Sequence, residues 1–105
     1  MITNEEFDTL GEFFRILGDP TRLRILYALE GKTQCVGELS VSLGLTQSNI
    51  SHQLRLLRQA RLVTSKREGK HVFCSLSDDH VSSILRQGLT HLREIDPSLP
   101  SPTKE

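Results

Sequence analysis

The chain contains no tryptophan, a single tyrosine and four phenylalanines. A core built from so few large aromatic rings is modest, and 36% hydrophobic residues over 105 positions make further burial by dimerisation an expectation. Cysteine is equally sparse. Two residues, Cys35 and Cys74, cannot form a disulfide framework, and without a leading signal peptide the expected setting is a reducing cytoplasm. No apolar run approaches the roughly 20 residues that a membrane span requires, so no membrane partner is expected. Internal repeats, a nucleophile motif and a glycine-rich phosphate loop are also missing, which argues against an enzyme. Net charge is absent too, with 13 basic residues against 13 acidic ones.

The charge that is present is unevenly placed. Between Thr46 and Lys70 lie Arg55, Arg58, Arg61, Lys66, Arg67 and Lys70 against Glu68 alone, a local surplus of five positive charges. A neutral chain with one basic segment can meet a polyanion through that segment.

Hydrophobic spacing predicts five helices and one hairpin. Phe7, Leu10, Phe14 and Leu17 fall on one face of a first helix that Gly18 can close. Asp19 and Pro20 read as the cap and first position of a second helix, with Leu23, Leu26 and Leu29 inward and Gly31 as the stop. A short third helix spans about Cys35 to Leu43. Gly44 permits a turn into TQSNISHQLRLLRQA, a fourth helix capped by Thr46, and the pair forms a helix-turn-helix candidate. RLVTSK and KHVFCSLS read as strands joined around Gly69, and a fifth helix runs from near Asp78 to about Ile95. The expected class is mainly α with a small β-hairpin, a dimeric winged helix-turn-helix. Residues 1–95 form the DNA-binding and dimerisation domain, and the proline-rich residues 96–105 form a flexible tail.

In the fourth helix Ile50, Leu54 and Leu57 share the inward side. The opposite side presents Ser48, His52 and Arg55, flanked by Gln47 and Ser51. Polar groups at the N-terminal end of such a helix suit base edges: Gln pairs with adenine, Arg with guanine, and Ser reaches bases or phosphates. Lys66, Arg67 and Lys70 suit phosphates. A merely solvated face is the competing reading, and the basic hairpin that follows favours double-stranded DNA as the partner.

The fifth helix has an apolar seam of Val81, Ile84, Leu85, Leu92 and Ile95, with Gly88 allowing close approach of another backbone. Its histidines could be incidental to dimerisation. Their geometry offers more. His80 and His91 are about 1100° apart around the helix, three turns plus roughly 20°, and about 16.5 Å apart along its axis. They cannot share one zinc ion, whose nitrogen ligands lie at about 2.1 Å. Two copies packed antiparallel about a twofold axis would bring Asp78 and His80 of one beside His91 and Glu94 of the other, twice per dimer. His91 and Glu94 are one turn apart. Asp78 and His80 converge only if Asp78 sits at the cap, where Asp78 and Asp79 could also serve merely as dipole acids.

This spacing, Asp-x-His followed after ten residues by His-x-x-Glu, resembles the C-terminal-helix zinc site of the ArsR/SmtB family of metal-responsive repressors. LGDPTRLRIL, CVGEL, LTQSNISHQLRLLRQARLV and the wing REGKHVFCSL extend the resemblance over nearly the whole chain. It implies that Asp78, His80, His91 and Glu94 are zinc ligands, two ions per dimer with cobalt as a possible substitute. It also implies that Gln47, Ser48, Ser51 and His52 meet operator DNA and that metal releases it. The chain departs from the thiolate-using sensors of the family: CVG keeps Cys35 but has Gly37 in place of a second thiol, and the first fourteen residues supply neither Cys nor His. Cys35 and Cys74 then read as packing residues, and a nitrogen–oxygen donor set favours zinc or cobalt over arsenic and lead.

Two rivals stand beside this reading. One is a winged-helix regulator that senses thiol oxidation through Cys35 and Cys74. The other is a metal-assisted hydrolase, disfavoured because four protein ligands leave no position for water.

Overall fold

The computed structural model describes residues 1–96, 98 and 99. Helix α1 (Asn4–Leu17) opens with Thr3, whose hydroxyl accepts the Glu6 N–H at 3.1 Å while the Glu6 carboxylate accepts the Thr3 N–H at 2.9 Å. This reciprocal pair satisfies two of the amide groups that a helix start leaves free. Helix α2 (Pro20–Ala28) follows with Asp19 as its cap. A two-residue strand β1 (Gln34–Cys35) leads into α3 (Val36–Leu43), where the Glu38 carboxylate accepts the Cys35 N–H. Gly44, at φ 68°, makes the left-handed turn into α4 (Gln47–Gln59), which Thr46 caps through the Asn49 N–H. Strands β2 (Val63–Glu68) and β3 (His71–Leu76) form the wing, and α5 (Asp79–Ile95) completes the order.

The hairpin turns through Gly69 and Lys70, with Gly69 at φ 63°, the conformation glycine takes at no steric cost. Its register pairs Ser65 with Cys74, Lys66 with Phe73 and Arg67 with Val72, and β3 also pairs with β1, giving an antiparallel sheet in the order β1-β3-β2.

Ile25, Leu26, Leu29, Leu39, Ile50, Leu54, Leu57, Leu62 and Cys74 are buried at the centre, joined by Ile16, Leu17, Val63 and Val81. Each aliphatic side chain so buried contributes roughly 1.5–3 kcal/mol. The structure corrects the sequence-based expectations at three places. Leu23, expected inward, is 36% exposed, because the buried side of α2 is set by Ile25, Leu26 and Leu29. Helix α2 ends at Ala28 with Leu29 as its C-cap, and Gly31, at φ 73°, belongs to the turn beyond. Where the spacing predicts the start of the third helix, the chain forms strand β1, and Cys35 is the N-cap of α3. The expected tail, residues 96–105, lies outside the described residues except at positions 96, 98 and 99.

The apolar face of α1 is not buried by its own chain. Leu17 is buried, whereas Phe7, Leu10 and Phe14 are 55%, 45% and 52% exposed. Helix α5 divides in the same way. Val81 is buried and Ile84 and Leu85 pack against the core, while Leu89, Leu92 and Ile95 are exposed.

Candidate DNA surface and metal ligands

Burial splits α4 as its periodicity requires: Ile50, Leu54 and Leu57 are buried, and Gln47, Ser48, Ser51, His52 and Arg55 are exposed. The Arg55 Nη2 group lies 3.0 Å from His52 Nδ1; an arginine can only donate, so this bond requires an unprotonated Nδ1. The helix ends in a backbone hook. The Leu62 N–H donates to the Leu57 carbonyl and the Arg61 N–H to the Arg58 carbonyl, both at 2.9 Å, with Arg61 at φ 62°. That pairing is the Schellman arrangement, with arginine where glycine is usual.

Lys66, Arg67 and Lys70 are all exposed. Lys66 shares a sheet face with its partner Phe73, and Arg67 shares the other with Val72, because successive strand side chains alternate. The two cations therefore project from opposite faces of the wing. Arg58 Nη1 donates to the Ser65 hydroxyl at 3.4 Å, joining α4 to the wing. A cleft of about 870 Å³ between α3, the start of α4 and the turn end of the wing brings Gln47, Ser51 and Lys70 together. His71, which is not among the residues the sequence singles out, also lines this cleft; its position opposite Glu68 at the hairpin end is the signal that could have found it.

At the start of α5, Asp78 is the N-cap: one carboxylate oxygen accepts the His80 N–H at 2.9 Å and the other lies 3.4 Å from His80 Nδ1. An i, i+2 pair thus converges because the first member stands outside the helix. His91 and Glu94 are exposed on the last turns of α5. Among the described residues no three His, Cys, Asp or Glu side chains gather within one chain in a way that could hold a metal ion. The Asp78–His80 and His91–Glu94 pairs stand at opposite ends of α5. Imidazole and carboxylate groups suit zinc chemically, and either pair alone offers two donors where a closed tetrahedral site takes four.

The thiols are arranged differently. Cys74 faces Gln34 across the ladder and Cys35 faces Phe73, so the two side chains point to opposite sides of the sheet. Cys74 is fully buried beside the Ser65 hydroxyl, while Cys35 is half-buried at the cleft. A disulfide between them would require breaking this ladder.

Residues 19–65 match the model of the bacterial regulatory protein arsR family. The chain is 41% identical over 92 residues to a transcriptional repressor SmtB homolog of Synechocystis, covering 88% of this chain and 70% of the relative. The crystal structure of Mycobacterium tuberculosis Rv0081 is similar with a TM-score of 0.80 and 33% identity, covering 89% of this chain and 94% of that one. An antimony-specific transcriptional repressor, AntR, also superimposes with a TM-score of 0.80 at 29% identity, covering 93% and 89%.

Proposed function

Since the chain belongs to the ArsR/SmtB family of metal-responsive transcriptional repressors, whose members are regulators rather than enzymes, we propose that it is the zinc-responsive kind, acting as a homodimer. The metal-free dimer holds operator DNA with α4 and the wing, and zinc at sites shared between two α5 helices releases it. One observation carries this reading. Asp78 and His80 converge at one end of α5, His91 and Glu94 sit at the other, and Leu89, Leu92 and Ile95 stand exposed along the same helix.

An antiparallel partner helix would cover those apolar residues and bring each half-site beside the complementary half-site of the other copy. The exposed Phe7, Leu10 and Phe14 of α1 supply further apolar area for that interface. Bound zinc would supply a divalent cross-link between the protomers. The donors are two imidazoles and two carboxylates, a harder set than the thiolates of a soft-metal sensor, so zinc or cobalt fits and arsenic or antimony does not. The half-buried Cys35 offers a single thiol, with Gly37 where a second could stand.

Within each protomer Gln47, Ser48, Ser51, His52 and Arg55 read bases, and Lys66, Arg67 and Lys70 hold phosphates. Half-sites about one helical turn apart follow from two α4 helices on one side of the duplex. The test is calorimetric titration of the apo-protein with zinc, alone and bound to a duplex that it has selected from a randomised library. Weaker zinc binding in the complex is expected, and linkage requires the same factor of loss in DNA affinity. Equal zinc affinity with and without DNA would overturn zinc as the signal.

A further inference from the structure

Arg22 occupies a position that neither DNA contact nor metal binding uses. It lies in the first turn of α2, half-buried, with its N–H on the Asp19 cap. Its Nε–H donates to the Ile16 carbonyl at 2.7 Å, and its Nη1–H donates to Gln53 Oε1 at 3.3 Å. Gln53 in turn donates from Nε2 to Asn49 Oδ1 at 3.4 Å. Among the described residues no carboxylate lies within ion-pair distance of the Arg22 guanidinium.

These groups belong to three helices. Ile16 is in the last turn of α1, where carbonyls lack intrahelical donors. Gln53 is on α4, half-buried between the exposed His52 and the buried Leu54. A guanidinium is planar, and its N–H groups point in fixed directions, so one arginine bonded to two helices fixes their relative direction as well as their separation. A lysine on the same stem could make either bond but has no rigid fork.

We propose that Arg22 is a positioning residue for operator recognition, holding the base-reading helix α4 at a set angle to α1 and thereby setting the spacing between the two α4 helices of a dimer. The inference rests on the proposed function, in which α1 forms part of the dimer interface and α4 enters the groove. A rotation of α4 about its joint with α1 would be doubled across the twofold axis, so an error of alignment appears as tolerance of wrongly spaced half-sites.

The test uses a duplex selected by the wild-type protein from a randomised library, together with copies whose half-site spacing is one base pair longer or shorter. Arg22→Lys retains the charge and stem; Gln53→Met removes the acceptor on α4 together with the donation to Asn49 within that helix. Both are expected to lose about tenfold in affinity for the selected duplex, since an α4 direction no longer fixed beforehand must be ordered on binding. Affinity for unrelated DNA and zinc affinity without DNA should be unchanged, and discrimination among the three spacings should shrink. The Arg22→Lys/Gln53→Met pair should be no worse than either single variant, since both break the same link. Thermal unfolding establishes that each variant is folded, and Arg22→Lys serves where Arg22→Met would not fold.

Spacing discrimination retained in both single variants, or losses that add in the double variant, would overturn the positioning role alone. A change of base preference in Gln53→Met without any effect of Arg22→Lys would make Gln53 a direct reader and overturn it as well. A wild-type protein that selects no inverted repeat would bring down the proposed function, and this inference with it.

Discussion

The Ser77 N–H donates to the Leu62 carbonyl at 3.0 Å, joining the residue before the Asp78 cap to the residue that closes the backbone hook after α4. Ser77 precedes one proposed metal ligand, and Leu62 donates its own N–H to the Leu57 carbonyl in α4. Within a single chain, the start of α5 and the end of α4 are therefore two hydrogen bonds apart. A shift of the α5 cap cannot leave the exit of α4 unaffected unless one of these bonds breaks.

Asp78 caps α5 and, in the proposed function, is also a metal ligand, and the two roles are separable. Asparagine caps a helix about as well as aspartate, so Asp78→Asn should leave stability within about 0.5 kcal/mol while weakening zinc binding through loss of an anionic ligand. Asp78→Ala should lose the cap as well, at a cost of about 1 kcal/mol. Chemical denaturation and metal titration on the same samples distinguish the two. Undiminished zinc affinity in Asp78→Asn would remove Asp78 from the ligand set.

Leu92 is 48% exposed and Leu57 fully buried, which predicts opposite phenotypes. Leu92→Glu should give a folded monomer in sedimentation, with zinc affinity reduced because each proposed site draws on two chains. Leu57→Ala should instead unfold more readily by about 2–5 kcal/mol. A Leu92→Glu dimer would place the interface elsewhere.

Much of this architecture is legible in the sequence because it depends on neighbours within a few residues. Asp19, Thr46 and Asp78 cap helices, and Gly44 and Gly69 turn through left-handed backbone, for reasons local to each. Strand β1 is not legible: two residues have no periodicity, and Gln34 and Cys35 are extended because β3, about forty residues away, pairs with them. Leu23 is misplaced by periodicity because α2 is apolar on more sides than its single chain covers. The role of Arg22 is equally hidden, since its side-chain partners lie 6 and 31 positions away. At the candidate metal site, face-sharing by His80 and His91 follows from helical pitch alone, and the convergence of Asp78 on His80 is readable only as a condition on the cap.

Arg61 carries a conformational cost. Its φ of 62° is left-handed, where a side chain with a Cβ loses roughly 1 kcal/mol relative to glycine. Arg61→Gly should therefore raise stability by about 0.5–1 kcal/mol, the lower end reflecting glycine's greater freedom in the unfolded chain. Denaturant midpoints at constant slope check this. A destabilised variant would mean that the arginine side chain contributes more than its backbone costs.

The thiols yield a third contrast. Cys35 should react with a thiol reagent in the native protein, and the fully buried Cys74 only on unfolding. Serine at both positions should leave zinc-driven DNA release intact. Release by an oxidant in the wild type, abolished in that double variant, would restore thiol sensing.

Recognition and attraction should separate between α4 and the wing. Lys66 and Arg67 are exposed on opposite faces of the hairpin, where their charges can neutralise phosphates but carry no base pattern. Replacing either with alanine should weaken specific and unrelated duplexes alike, and the slope of log affinity against log salt should fall by roughly 0.9 for each phosphate no longer neutralised. Gln47 and Ser48 stand at the exposed start of α4, the end that meets base edges. Alanine there should leave the salt slope nearly unchanged and reduce discrimination at particular base pairs by about 1–3 kcal/mol. Binding measured at several salt concentrations, on the selected duplex and on single-base variants of it, keeps the two effects apart. Because Lys66 and Arg67 project from opposite faces of the hairpin, their effects should also be unequal, the cation nearer the duplex changing the slope more. Equal slope changes would mean that the wing enters the groove with both faces against DNA, and base readout would then have to be shared between α4 and the wing.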